Sequence, residues 1–424
     1  MIKHHYRYIY FLFIGISGAM TAQAIDNPHF YRANFFWGEP RFEKNWLTSW
    51  DFLVGGGGAK KAYNRDGHKT SLLNIFGLHA MQDIGANLPG LDQNNDLDKI
   101  LIDLYKLPRR DNFGKLLFKG DFSVIETVIN GYQNLCHGFF LQAYLPIRRL
   151  ALDNIQYCDK SPEDTEFPNK NSPQWLQFLG NFAQILARYD REIVTVKRIG
   201  VGDLTVLGGW TLNYQDTIYA DYFDVTAKFG ILLPTGKKRS LRNPFDLPLG
   251  YDGFYGMPLK FDCSMGYWEW FTCGAHIGAL FLFDRTRCIA MKSSCEQNGF
   301  IVLASGTASL DPGTLWDIAA YAKADHIFRG LSFLVGYCYT LKDADCIKPN
   351  KSDLFDSLVV NSDQRFKSWQ MHVIHWFLEY DFAHKPSDIG PRIGFFYNWL
   401  IGGKRVYDTS MAVASLGVDV EWCF

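Results

Sequence analysis

Apolar and polar residues alternate along much of this chain, which places apolar side chains on one face of an extended strand. The C-terminus shows the pattern most clearly, because seven apolar residues share one face: Ala412, Ala414, Leu416, Val418, Val420, Trp422 and Phe424. The opposite face carries Asp419 and Glu421. Similar alternation recurs upstream, for example in residues 201–214, 219–233 and 330–342. The chain is therefore predicted to consist mainly of two-faced β-strands.

Collecting such stretches predicts about twelve strands, within a range of about ten to fourteen, and an even number suits a single-chain bacterial β-barrel. The predicted spans are 46–55, 116–126, 138–150, 201–214, 219–233, 257–270, 273–286, 314–327, 330–342, 367–383, 390–402 and 411–424.

The connections between these strands alternate in length. Long connections follow the odd strands, at 56–115, 151–200, 234–256, 287–313, 343–366 and 403–410, whereas those after even strands are mostly short. Membrane barrels have long outer loops and short periplasmic turns, while a β-sandwich gives no reason for such alternation. The predicted fold class is therefore all-β, an antiparallel up-and-down transmembrane β-barrel with both termini at the periplasmic end. Its apolar strand faces would meet lipid.

The N-terminus has the features of a secretory signal, with a basic start, an apolar stretch from Tyr8 to Met20 and the small-residue pattern Ala22-Gln23-Ala24. Cleavage is expected after Ala24, so the mature chain would begin at Ile25. A short membrane anchor is the alternative. The predicted organisation is a signal peptide at 1–24, a periplasmic segment at 25–45 and one barrel domain at 46–424 with large outer loops 56–115 and 151–200.

Two of the long loops contain apolar residues at helical spacing, in segments 71–107 and 173–189. Because such helices would not stay in water, we expect them to pack on the barrel mouth or to fold into the lumen.

Composition excludes some other classes. The 424 residues have a net charge of -1 with 16% aromatic residues, so there is no general basic surface for nucleic acid. After the signal, no apolar stretch reaches the 18 or more residues typical of a membrane helix. The nine cysteines form no C-x-x-C pair, and Cys288 with Cys295 is the best candidate for a disulfide because both fall in one predicted loop.

The stretch Val418-Asp419-Val420-Glu421-Trp422-Cys423-Phe424 resembles the terminal strand of bacterial outer-membrane β-barrel proteins. In that group a final Phe and alternate apolar residues form the signal for the barrel-assembly machinery. The resemblance implies Trp422 and Phe424 as the assembly signal, and an outer-membrane location in lipid. Residues 200–204 and 229–236 also resemble strands of outer-membrane transporters of fatty acids and aromatic hydrocarbons, a family with fourteen strands, more than are predicted here.

Several motifs suggest chemistry that the sequence does not support well. The run Gly55–Lys61 lacks the spacing of a phosphate-binding loop and is interpreted as a strand end. Asp92, Asn94, Asp96, Asp98 and Asp103 have calcium-loop spacing, but Leu97 replaces the required Gly and Asp103 the required Glu, so a solvated acidic turn is the alternative.

Four histidines, His276, His372, His375 and His384, could suggest catalysis, but His372 and His375 point to opposite faces of one strand. No cofactor, metal site or catalytic residue is predicted.

The expected function is a passive channel or transporter for small solutes, through a narrow pore with weak cation preference. The alternatives are a surface structural or interaction protein whose outer loops bind partners, and an outer-membrane hydrolase. The predicted pore-lining residues are Asp203, Lys228, Lys260, Asp262, Asp317, Lys323, Asp325, Arg392, Asp419 and Glu421. We expect Arg to be costly at Phe229 on the lipid face and tolerated at Thr226 on the lumen face.

Overall fold

Twelve strands pair in chain order, each antiparallel to the next, and the ring closes between the first strand and the last. The computed structural model describes residues 27–35, 47–215, 217, 220–268, 270–328, 330–382 and 389–421. The barrel strands are β1 (Leu47–Ala59), β2 (Lys115–Asn134), β3 (Phe139–Asp159), β4 (Val196–Val201 and Leu204–Gln215), β5 (Tyr222–Leu233), β6 (Gly256–Tyr267), β7 (Phe271–Leu282), β8 (Leu315–Phe328), β9 (Leu331–Lys342), β10 (Trp369–Asp381), β11 (Ile389–Lys404) and β12 (Ser410–Glu421). The predicted twelve-stranded, up-and-down barrel is confirmed.

Two strands are much longer than their alternation predicted. β2 continues to Asn134 instead of 126, and β3 to Asp159 instead of 150, so only residues 135–138 connect them. The prediction ended β2 early because the polar stretch that follows contains Asn130-Gly131, a dipeptide typical of turns. Inside this barrel, buried polar side chains such as Asn130 occupy the inward positions instead.

Large apolar side chains cover the outside of the barrel. Phe229 is 66% exposed on the outer face of its strand. Thr226 and Lys228, on the opposite face of the same strand, are 0% exposed and point inward. An exposed apolar belt around buried polar groups reverses the arrangement of a soluble protein and matches a barrel that spans lipid. The chain is therefore an outer-membrane protein of the kind that the terminal strand suggested. None of the helices in the described residues is long and apolar enough to cross a membrane.

The loop lengths alternate as predicted. Six loops leave what we call the loop end of the barrel: L1 (60–114), L2 (160–195), L3 (234–255), L4 (283–314), L5 (343–368) and L6 (405–409). The other connections are short, at 135–138, 216–221, 268–270, 329–330 and 382–388, and the strand ends that they join lie at the opposite end, which we call the turn end. Since long loops of such barrels face outward, the loop end is the extracellular one.

The six loops form a folded cap over the loop end. The cap contains two small sheets, one of Arg285–Ala290, Ser305–Asp311 and Cys346–Pro349 and the other of Lys61–Tyr63, Lys69–Ser71 and Val406–Tyr407. Its helices are α1 (Asp96–Tyr105), α2 (Pro173–Arg188) and α3 (Ser357–Asn361), with short 3-10 turns at Leu72–Asn74, Met81–Asp83 and Gln364–Phe366 and a short strand at His79–Ala80. Much of the apolar core of the chain lies in this cap.

The apolar insert 71–107 packs on the barrel mouth and not in the lumen, so the structure decides between the two expectations. β2 and β3 project beyond β1 at the loop end, because β1 pairs with β2 only from Phe122 onward. The insert packs against this projection: the Asn74 side chain bonds both the carbonyl and the amide of Phe118, at 2.8 and 3.2 Å. Its removal would therefore expose the hairpin without clearing the lumen.

The acidic stretch at the start of α1 joins the two cap helices and offers no calcium site. Asp98 is buried, and both of its carboxylate oxygens accept hydrogen bonds from Arg188 of α2, each at 2.7 Å. The described residues contain no cluster of side chains that could hold a metal ion.

Asp98→Asn is expected to loosen the contact between α1 and α2. The hydrogen bonds from Arg188 hold the pKa of Asp98 below its usual range. A depressed pKa gives stability that is complete above about pH 4, the unfolded value, and is lost as the pH falls through the folded value. Limited proteolysis of L1 at neutral pH should therefore cut Asp98→Asn faster than the wild type. Equal rates at neutral pH would contradict this role, and Asp96→Asn on the exposed side of α1 serves as control.

Two smaller predictions also have outcomes. The glycines at 55–58 lie inside β1, where a Cβ on Gly57 would be 2.2 Å from the Ser410 carbonyl oxygen, so they allow close strand approach. The interpretation as a strand element, not a phosphate loop, is confirmed. The proposed Cys288–Cys295 disulfide is wrong, since both thiols are free: Cys288 lies in the cap strand Arg285–Ala290, and Cys295 lies outside the cap strands.

Candidate functional site

A short N-terminal segment fills part of the barrel lumen. Residues 27–35, which we call the plug segment, are all buried except Phe30, which is half-buried. The sequence predicted a periplasmic segment at 25–45, and for residues 27–35 this prediction is wrong. The reason is that the barrel interior offers charged and hydrogen-bonding partners to the plug segment, partners that alternation within single strands does not reveal.

The plug segment spans the full width of the lumen. Arg32 contacts Glu126 of β2, whereas Asn34 contacts Asp317 of β8 and Thr340 of β9. β2 and β8 are six strands apart in a ring of twelve, so these contacts lie on opposite walls. A segment anchored on both walls obstructs the path between the two ends of the barrel.

The first anchor is a buried charge triad. The Nε of Arg32 lies 3.0 Å from one oxygen of Glu126, and the Nη2 of Arg148 of β3 lies 3.0 Å from the other. All three side chains are 0% exposed. A buried carboxylate between two guanidiniums is strongly held, because removing a partner leaves a charge without compensation in a low dielectric.

The second anchor is polar and uncharged on the plug side. The Nδ2 of Asn34 donates to the Thr340 hydroxyl and to the Asp317 carboxylate, the latter at 3.3 Å. It also lies 3.8 Å from the sulfur of Cys338. Asp317 is itself fixed by His276, whose Nε2 is 2.7 Å away. This wall therefore presents a prearranged group of acceptors to one amide.

The upper part of the plug segment contacts the cap. His29 stacks between Tyr31 and Tyr251 of L3, with ring centroids 4.8 and 4.7 Å apart. Tyr251 donates to the Pro28 carbonyl at 2.9 Å, and Tyr31 donates to the Pro248 carbonyl at 3.1 Å. The plug segment thus connects the barrel wall to L3 and reaches the loop end.

Two of the predicted pore-lining residues hold other parts of the chain. Asp203 interrupts β4 at the loop end, where its carboxylate accepts hydrogen bonds from the amides of Gly236 and Tyr251, at 2.9 and 2.5 Å. It anchors L3 and does not line an open passage. Asp317 faces the lumen, as predicted, but there it binds the plug segment.

The other predicted lumen charges face inward and pair with one another. Arg392 lies 3.1 Å from both Asp51 and Asp419 near the turn end, and 3.5 Å from Glu379. The remaining pairs are Lys323 with Asp325 at 2.6 Å and Lys260 with Asp262 at 3.9 Å.

Lys228 is fully buried, with its ammonium 5.7 Å from the centroid of the Tyr132 ring. The side chain of Glu421 and residues Trp422 and Phe424 lie outside the described residues, as do the predicted signal peptide and His384. The inward orientation of the described set agrees with the sequence, while its role in lining a conducting pore stays a prediction.

Arg32, Asn34, Glu126 and Arg148 were missed by the sequence analysis. Glu126 and Arg148 stand at inward positions of long alternating strands, and a charge at such a position is the one signal that could have singled them out. Arg32 and Asn34 precede the barrel in a stretch without periodicity, so the sequence contained no comparable signal for them.

The described histidines of this set, His276, His372 and His375, do not form a shared site. His375 is buried and bonds Asn398 at 2.8 Å, whereas the Nδ1 of His372 bonds the exposed Tyr337 at 2.6 Å. They lie on opposite faces of β10, as predicted.

No protein-family model matches the chain, and no curated protein matches it. Among solved structures it is similar to an outer membrane channel from Pseudomonas putida F1, with 11% identity and a TM-score of 0.47 over 90% of this chain and 99% of the other. It is also similar to a Pseudomonas aeruginosa FadL homologue (10% identity, TM-score 0.33, 96% and 100% covered) and to the Pseudomonas putida toluene transporter TodX (10%, 0.29, 89% and 89%).

Proposed function

We propose that the protein is a passive channel for small solutes that is closed by its own plug segment. The observation that carries this proposal is the Arg32–Glu126–Arg148 triad, which ties a non-barrel segment to the wall in the middle of the lumen. A filled lumen with no transport role would be built more simply from wall side chains, as in narrow barrels of eight strands. Here a segment outside the barrel strands occupies the centre.

The contacts of the plug segment suit a reversible closure. Its polar contacts are ion pairs and hydrogen bonds, which water can replace when the segment leaves, while Tyr31, Ala33 and Phe35 pack in the apolar core. Behind the segment, the paired charges around Arg392 give a polar wall that water and small solutes can wet. Opposed charges pair with each other and give weak ion selectivity, so the expected mild cation preference stays a prediction.

The plug can be locked covalently to test this proposal. Asn34→Cys places a thiol next to the native Cys338, because the side-chain nitrogen of Asn34 already lies 3.8 Å from that sulfur. We expect oxidation to hold the channel closed and reduction to restore conductance in planar bilayers. The matched control is the same variant with Cys338→Ala, which should not respond to oxidant.

Two outcomes would contradict the proposal. One is equal conductance of Asn34→Cys before and after oxidation, with the disulfide verified by mass spectrometry. The other is an absence of solute flux in liposomes from both the reduced variant and a chain that lacks the plug segment. The second result would favour the interaction protein whose outer loops bind partners, and turnover of ester or peptide substrates would favour the hydrolase.

A further inference from the structure

The cap and the plug segment line a partly open cavity at the loop end. Its volume is about 160 Å³, and Pro28, His29 and Phe30 of the plug segment contribute to its lining. L1, L3, L4, L5 and L6 all contribute further lining residues. For comparison, an apolar cavity of about 150 Å³ in another protein holds a benzene molecule. The cavity is therefore large enough for a small ring-sized molecule.

The lining combines aromatic rings with an excess of positive charge. Phe254, Phe300 and Trp369 are buried and provide apolar surface. Trp369, at the start of β10, faces this cavity. The six cations are Arg239, Arg287, Lys342, Arg365, Lys367 and Arg405, and the three acids are Asp246, Asp252 and Asp345.

The acids do not neutralise all of these cations. Asp252 is shared by Arg239 and Arg287, at 3.0 and 2.5 Å, so one carboxylate faces two guanidiniums. In the described part of the chain, no carboxylate lies within 4.0 Å of Lys367 or Arg405. The cavity thus keeps a positive charge that its own walls do not compensate.

Other lining contacts do not change this balance. Asp246 forms a salt bridge with Arg198, and Asp345 forms one with Lys342. Asp363, which does not line the cavity, forms a salt bridge with Arg365. Each of these carboxylates therefore already has a cation of its own.

Two buried donors reinforce the charge argument. The Nε atoms of Arg287 and Arg405 are buried and have no hydrogen-bond acceptor in the described residues. A buried donor without a partner costs free energy, which an acceptor on a ligand would recover. Burial lowers the pKa of Arg239, and the charges of Arg287 and Arg365 lower it further against the effect of Asp252. This mutual repulsion is relieved when an anion enters.

We propose that this cavity binds a small organic anion, a carboxylate on an apolar ring-sized body, before the anion enters the lumen. The carboxylate lies among the guanidiniums, and the ring lies against Phe254, Phe300 and Trp369. One part of this proposal rests on the proposed channel function, namely that the bound anion is then transported through the barrel. Binding itself requires no open lumen. A bound anion would contact the plug segment, because Pro28, His29 and Phe30 contribute to the cavity lining.

The test uses benzoate and the full chain folded in detergent, measured by isothermal titration calorimetry. Benzyl alcohol is the neutral probe of similar shape, and benzylamine is the cationic one. We expect benzoate to bind, the other two probes to bind at least tenfold more weakly, and added salt to weaken the benzoate signal. Benzyl alcohol binding as tightly as benzoate would overturn the role of the charges.

Two variants locate the site. Lys367→Gln and Arg405→Gln each remove a cation that lacks a carboxylate partner, and each should weaken benzoate binding about tenfold, as expected for one charge-assisted hydrogen bond. Arg65→Gln, at a side chain that is 66% exposed in L1, is the matched control. If Arg405→Gln fails to fold, Lys367→Gln alone still tests the proposed site. Unchanged binding in folded Lys367→Gln overturns the proposed site.

The binding and conductance experiments test the site and the channel independently. Benzoate binding by a chain that never conducts would refute the channel while preserving the site. Conductance without benzoate binding would refute the site alone.

Discussion

Arg32→Gln is expected to open the barrel to ions. Glutamine keeps a polar but shorter side chain and removes the charge that lies 3.0 Å from Glu126. Glu126 keeps its pair with Arg148, so the wall stays intact and only the closed state loses an interaction. A hydrogen bond to a charged group is worth about 1.5–3 kcal/mol, which corresponds to about a ten- to hundredfold increase in the ratio of open to closed barrels.

Planar-bilayer recordings of the wild type and the variant measure this ratio as the fraction of time spent open. Glu126→Gln should open the barrel further, because it leaves Arg32 and Arg148 buried together with no carboxylate between them. Arg65→Gln in L1 is again the control and should behave as the wild type. If Arg32→Gln and Glu126→Gln both fold and both record as the wild type, the plug segment does not gate conduction.

Phe229→Arg is expected to destabilise the barrel by about 2–4 kcal/mol, the cost of a guanidinium facing lipid near the bilayer midplane. Phe229 is 66% exposed on the outer face of β5 and lies within the strand, away from both ends. Phe283, one residue beyond β7 at the loop end and 52% exposed, is the matched position near the interface. Phe283→Arg should cost only about 0–1 kcal/mol.

Urea unfolding of the refolded proteins in lipid vesicles gives the two costs. Similar losses of unfolding free energy for Phe229→Arg and Phe283→Arg would mean that depth in the bilayer does not matter. That result would contradict the assignment of the exposed apolar belt to the membrane.

The expectation that Thr226 tolerates Arg does not fit the structure. Thr226 is fully buried, and its hydroxyl lies 2.9 Å from that of Thr211. The lumen is packed at this point, so an arginine there would overpack it at a cost of about 1–3 kcal/mol.

The amino-acid sequence by itself determined the twelve strands, their faces, the up-and-down order and the end at which the long loops lie. These features follow from local physics. A strand between lipid and a polar interior must alternate, and neighbouring antiparallel strands need only a short turn. Phe229 and Lys228 therefore reveal their faces from adjacent positions. The early end predicted for β2 shows the limit of this rule, since polar inward residues such as Asn130 resemble loop residues in the sequence.

Only the tertiary structure decided what occupies the barrel and its mouth. Asn34 and Thr340 are 306 positions apart, and no local pattern connects them. The same holds for Arg32 with Glu126, and for the loops that gather their cations around one cavity. A charge at an inward position could equally face water, a wall partner or an inserted segment. Which of these it meets depends on how the closed ring brings distant strands together, and burial without water then makes that single pairing decisive.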